Sequence, residues 1–175
     1  MRRLVLVLAL VATAGAASLA SAGCRLCGGS PQAVDPAGRP RSSDGPLAEV
    51  TFLVEHRDRI WRSVSTIPEG VEVATGSPDA KVADLLRRQI QANAIRLKEG
   101  RPNEVPDPLV TELYRNGPKV VVEMRVTDDG MRLRATSSDP WVVKLIQAHA
   151  EVVDRCLVVG WDEVHRAHPL PPRDP

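Results

Sequence analysis

The chain has 175 residues, 43% of them hydrophobic and 26% charged, with five aromatic residues and three cysteines. That balance fits one ordinary globular domain and excludes a disordered chain, a disulfide scaffold and a multi-domain assembly. Lysine and arginine number 23 against 22 acidic residues. The chain therefore lacks the basic excess that releases counterions from nucleic acid, and no nucleic-acid partner is expected.

Met1-Arg2-Arg3 is a short positive start, and residues 4–20 form an apolar run that thins into Ala, Gly, Thr and Ser. This layout predicts a secretory signal peptide over residues 1–23. A retained membrane anchor is the alternative, but the run is short and weakly apolar at its end for a hydrocarbon core of roughly 30 Å. Ala20-Ser21-Ala22 fits ordinary cleavage after Ala22. Ser21-Ala22-Gly23-Cys24 resembles a bacterial lipobox, in which the cysteine is acylated and becomes the new N-terminus, although Ser21 stands where that pattern usually has a large aliphatic residue. The placement of Cys24 before a Gly/Pro/Ser tether favours lipidation, with membrane contact through that anchor alone. Either route exports the product to the cell envelope, periplasm or exterior. Losing Arg2 and Arg3 leaves 21 basic against 22 acidic side chains, a charge of −1.

Residues 24–46 are rich in Gly, Pro and Ser and read as a flexible linker. Cys24-Arg25-Leu26-Cys27 has redox or metal spacing, but such a pair normally opens a helix after a strand. No histidine follows to suggest haem attachment. The plainer reading is one lipidated cysteine and one spare, with Cys27 free to pair with Cys156 or Cys156 simply a small buried thiol.

Residues 47–100 overlay residues 107–160 without a gap at an offset of 60, with ten identities that include Leu53/Leu113, Gly70/Gly130, Asp79/Asp139, Leu85/Leu145 and Gly100/Gly160. These fall on turns, caps and periodic apolar positions, as a duplicated fold retains them. Each copy reads helix, hairpin, helix. In the second copy Val120, Val122, Met124 and Val126 alternate with outward residues, Asp129-Gly130 turns the chain, and Met131, Leu133 and Ala135 alternate again, predicting a hairpin with one buried face. The first copy reads as a less regular hairpin: Val64, Ile67, Pro68-Glu69-Gly70, then Val71 and Val73. A helix follows in each, N-capped by Asp79 and by Asp139 with Pro140 behind it. Apolar stripes run along Val82, Leu85, Leu86, Ile90 and Leu97, and along Val142, Leu145, Ile146, Val152, Val153, Cys156 and Leu157. The expected fold is α+β, two tandem helix-hairpin-helix repeats forming a four-stranded antiparallel sheet with helices on one face, related by a pseudo-twofold axis, over residues 47–169. Residues 170–175 read as an extended tail.

Polar residues on the apolar stripes are the candidate site. His149 follows Leu145 by four and has Gln89 at its matching position; His56 follows Leu53 by three on the first helix and has Asn116. A buried imidazole requires a hydrogen-bond partner or a metal, so His149 is either a ligand or is satisfied by Gln89 or the hairpin backbone. His165 and His168 stand at i, i+3, a spacing that puts both rings on one helical face and can chelate a metal when a third ligand arrives. Asp162-Glu163 reads as a solvated helix face. No Gly-rich phosphate loop, nucleophile elbow or H-E-x-x-H occurs, and no enzymatic activity is expected.

The segment Val142-Val143-Lys144-Leu145-Ile146-Gln147-Ala148-His149-Ala150-Glu151-Val152-Val153, with His165-Arg166-Ala167-His168-Pro169, Pro68-Glu69-Gly70-Val71 and Glu99-Gly100-Arg101-Pro102, resembles a group of small exported bacterial proteins to which no activity is assigned. The resemblance covers roughly residues 50–169. It implies histidine at the positions of His56 and His149, and often at both matching positions, where this chain has Asn116 and Gln89. Two functions follow as expectations. The first is a non-catalytic envelope domain that binds a protein partner or a small ligand. The second is a copper-, zinc- or haem-binding protein using His149 and His56, helped by His165 and His168.

Overall fold

The computed structural model describes residues 46–101 and 107–173. The expected signal peptide, lipidation site Cys24 and second linker cysteine Cys27 lie outside the described residues. In chain order the elements are α1 (Pro46–Glu55), a 3₁₀ turn (Arg57–Arg59), β1 (Trp61–Ile67), β2 (Gly70–Gly76) and α2 (Ala80–Lys98), then α3 (Pro108–Arg115), a 3₁₀ turn (Gly117–Lys119), β3 (Val121–Thr127), β4 (Gly130–Thr136), α4 (Pro140–Val159) and α5 (Trp161–Val164). The protein is α+β, with one four-stranded antiparallel sheet in the order β1-β2-β4-β3. Among the described residues no helix is long and apolar enough to cross a membrane.

The two inner strands pair about the Val73–Leu133 couple, and each outer strand pairs with its hairpin partner, so that Val64, Val73, Leu133 and Met124 lie abreast. Gly70 and Gly130 each open an inner strand. A Cβ on Gly130 would stand 2.1 Å from the Thr75 carbonyl oxygen, and one on Gly70 would stand 2.0 Å from that of Ala135. Only glycine lets the two hairpins approach this closely. The turn of the second hairpin is Asp128-Asp129, one residue earlier than expected, because Gly130 is committed to pairing with both Thr127 and Gly76. The first hairpin is as regular as the second, with strands of 7 residues, despite its sparser alternation.

The helices cross over between the hairpins. Among the strands, α4 packs chiefly on β2, and α2 chiefly on β4. Gln147 on α4 donates from Nε2 to the carbonyl oxygens of Ile67 and Gly70 at the first hairpin turn (3.1 and 3.3 Å). Arg87 on α2 donates from Nη1 to those of Thr127 and Asp128 at the second (both 3.4 Å). The serine after each inner strand closes the same exchange, Ser77 N–H donating to Asp129 O at 2.8 Å and Ser137 N–H to Glu69 O at 2.9 Å. Asp79 and Asp139 cap α2 and α4 as expected. Asp79 Oδ1 accepts from Lys81 and Val82 N–H, and Asp139 Oδ1 from Trp141 and Val142 N–H. A cap of this kind contributes about 1 kcal/mol.

The main core joins Val71 and Val73 to Leu109, Leu113, Val142, Leu145, Ile146, Ala150 and Val152. Full burial of a side chain such as Leu145 contributes about 2 kcal/mol. A smaller cluster, Leu53, Val82 and Leu85, holds α1 against α2. The expected buried face of the second hairpin requires correction at its outer strand: Val122 is half-buried, while Met124 is 43% and Val126 56% exposed. β3 is a sheet edge, and the helices lie over the inner strands β2 and β4.

Candidate functional site

The structure does not gather the four candidate histidines. His56 lies one residue beyond the end of α1 rather than on it, stacks on Phe52 with ring centroids 3.9 Å apart, and places Nδ1 2.9 Å from Phe52 O. The expectation that His165 and His168 share a helical face is also corrected. α5 ends at Val164, so His165 is exposed and stacked on Trp161 while His168 turns inward. Among the described residues no group of three or more His, Cys, Asp or Glu side chains could hold a metal.

His168 lies between two buried carboxylates. Its Nδ1 is 2.5 Å from Asp107 Oδ2 and its Nε2 3.1 Å from Glu163 Oε1, with relative exposures of 5% for the histidine, 3% for Asp107 and 1% for Glu163. Glu163 is therefore no part of a solvated face. Asp107 is the N-cap of α3: its Oδ1 accepts from Val110 N–H at 2.9 Å, leaving Oδ2 for the backbone N–H and ring of His168. Arg155 donates to Glu163 Oε1 at 2.6 Å. That guanidinium first, then His168, holds the Glu163 carboxyl below its ordinary value. Every ring and carboxylate in the chain Asp107–His168–Glu163–Arg155 has a protein partner, which makes it a clasp. It binds the segment after α5 to the start of α3, and Arg173 extends the hold by lying 4.5 Å over the Trp141 ring. The sequence reading missed Asp107; the Asp107-Pro108 pair, of the same kind as Asp139-Pro140, is the signal that could have marked it as a cap, but nothing in the sequence pointed to its histidine partner.

His149 stands beside this clasp. Burial pushes its imidazole down to about 4, with the Arg62 guanidinium acting in the same sense and Asp107 against them. Its Nδ1 is buried without a hydrogen-bond partner among the described residues. The expected exchange with Gln89 is corrected: Gln89 Nε2 instead donates to Asn93 Oδ1 at 3.3 Å, on the same helix. Cys156 is a free, half-buried thiol, which burial and the charge of Glu163 push up to about 11.

The sheet face away from the helices is where the chain meets solvent with a built concavity. The pairing register arranges that face in four rows across β1, β2, β4 and β3. The two central rows are Ser65, Glu72, Arg134, Glu123 and Ser63, Ala74, Arg132, Arg125. They line a shallow hollow of about 430 Å³. In the first row Arg134 is balanced, with its Nε 3.7 Å from Glu72 Oε1 and Glu123 across the strand pair. In the second, no carboxylate pairs with Arg125 or Arg132 among the described residues.

The chain matches no family model, no curated protein and no solved structure. The reading of function therefore rests on the face and the clasp themselves. The two central rows of the face carry arginine, glutamate, serine and alanine side chains, which offer hydrogen bonds and ion pairs to solvent. The sequence pattern gave no warning of it, since alternating Arg and Glu along Glu123, Arg125, Arg132 and Arg134 also describes any solvated strand face.

Proposed function

We propose that the protein is a non-catalytic binding domain of the cell envelope, exported, anchored through a lipid on Cys24, and taking its ligand on the open sheet face. The observation that carries this reading is the hollow of about 430 Å³ spanning both hairpins, within the size range of small-molecule sites. We further read the domain as a duplicated helix-hairpin-helix unit with a pseudo-twofold axis through the Val73–Leu133 couple. The support is that β1 and β3, and β2 and β4, begin 60 residues apart, and that Gln147 and Arg87, also 60 apart, seal opposite hairpins. The alternative, a histidine-based copper, zinc or haem site, has in its favour the unpartnered Nδ1 of His149, but His56 and His165 are engaged in separate stacks.

A photo-crosslinking residue placed at Ser63 or Ser65 in host cells is expected to yield an adduct of defined mass, and the same residue at exposed Val158 is not. Equal labelling at both places, or none on the face, would refute the binding-face reading. Cys24→Ser is expected to move the protein from the membrane fraction to the soluble fraction. A soluble wild-type chain beginning at Gly23 would refute the anchor.

A further inference from the structure

We propose that the hollow on the open sheet face binds a small phosphate monoester between Arg125 and Arg132, an assignment that rests on the binding-face reading above. The two arginines are direct cross-strand partners in the β3–β4 ladder. Like charges placed opposite one another on a strand pair are destabilising, and here no carboxylate relieves them among the described residues. The adjacent row shows the ordinary solution on the same sheet, with Arg134 between Glu72 and Glu123. The hollow is lined by three arginines and two glutamates, a net charge of +1, and its positive charge is concentrated on the unrelieved pair.

The rest of the row suits an anion. Ala74, next to Arg132, leaves the floor low, and Ser63 at the far end supplies a hydroxyl donor. Two guanidinium forks match the charge and the planar donor geometry that a phosphate dianion accepts. Glu72 and Glu123 flank the pair and oppose an extended polyanion such as nucleic acid, so the ligand carries one compact doubly charged group.

The test uses the full-length chain carrying Cys24→Ser, so that no acyl group contributes, titrated with inorganic phosphate and followed by amide NMR shifts. Phosphate is expected to shift residues 125 and 132, to bind more tightly as pH rises through its second ionisation, and to bind at least tenfold more weakly to Arg125→Gln/Arg132→Gln. Acetate is expected to bind far more weakly than phosphate. Each single variant relieves the like-charge contact and is expected to raise Tm by about 2 °C, which also reports that the fold is intact. No phosphate binding, binding that survives the double substitution, or acetate binding as tight as phosphate would overturn the assignment. So would binding to phosphatidylglycerol vesicles, lost in the double variant, without binding to inorganic phosphate. Crosslinking at Ser63 that persists when phosphate fails would leave the binding face standing and remove only the ligand class.

Discussion

Acid lability should be set by His149 at mildly acidic pH. Burial holds its imidazole at about 4 against 6.5 in the open chain. Between those values the unfolded state binds a proton that the folded state refuses, so stability falls as pH falls. The stabilisation is complete above pH 6.5 and is lost progressively down to about pH 4. At 1.36 kcal/mol per unit the full loss is ~3 kcal/mol, of which about 2 kcal/mol has gone by pH 5. For a domain whose total stability is roughly 5–15 kcal/mol, this is a large fraction. The perturbation is His149→Gln, which replaces the imidazole by an amide that does not titrate. Urea unfolding by circular dichroism from pH 7.5 to 4.5 is expected to give a variant whose stability is flatter by about 2.5 kcal/mol across that interval. Asp79, Asp139 and Glu163, held below their ordinary carboxylate values by caps and cations, hold their stabilisation down to lower pH and lose it as pH falls through those lowered values. They are shared by both proteins and cancel in the difference. Parallel curves for wild type and variant, or an NMR titration of His149 with its midpoint at or above 6.5, would refute the reasoning.

Removing Asp107 takes away a helix cap and leaves His168, Glu163 and Arg155 without the fourth member of their clasp. Asp107→Ala is expected to cost about 3 kcal/mol in urea unfolding and to make residues 165–173 sensitive to protease, and an unchanged cleavage pattern would contradict the clasp. The Cys156 thiol, pushed up from 9.0 to about 11, has a thiolate fraction near neutral pH reduced by roughly a hundredfold. Iodoacetamide is expected to alkylate the folded protein at least that much more slowly than the urea-unfolded chain, and comparable rates would refute the burial of the thiol.

The fold class was legible because its determinants are local. Asp79 and Asp139 are helix caps that announce themselves, the apolar stripes on α2 and α4 have helical period, and Gly70 and Gly130 mark the starts of the inner strands. What escaped is what depends on position in the sheet. Met124 and Val126 obey the same alternation as Leu133 and Ala135, yet β3 is an edge, and a strand's own sequence does not record whether a helix covers it. The site was less legible still. His168 looked like a polar helix end because its partner Asp107 lies 61 residues away, and burial by a distant element leaves no periodic trace. The opposed pair Arg125 and Arg132 is invisible until the register is known, since a slip of one residue would put each beside a different neighbour.

The crossed packing of the helices has a kinetic consequence. When residues 46–101 have been made, α1 already covers Val82 and Leu85 of α2, but α2 has no β4 to pack on and β2 has an unpaired edge, so the first half keeps an open strand ladder and an uncovered inner sheet face. Completion waits for β4 and α4, near the end of the chain. The nascent first half is consequently a sticky intermediate, prone to pair with the equivalent half of a neighbouring chain. Two full chains exchanging their second halves would satisfy every contact of the monomer, which makes a domain-swapped dimer the characteristic misassembly of this architecture.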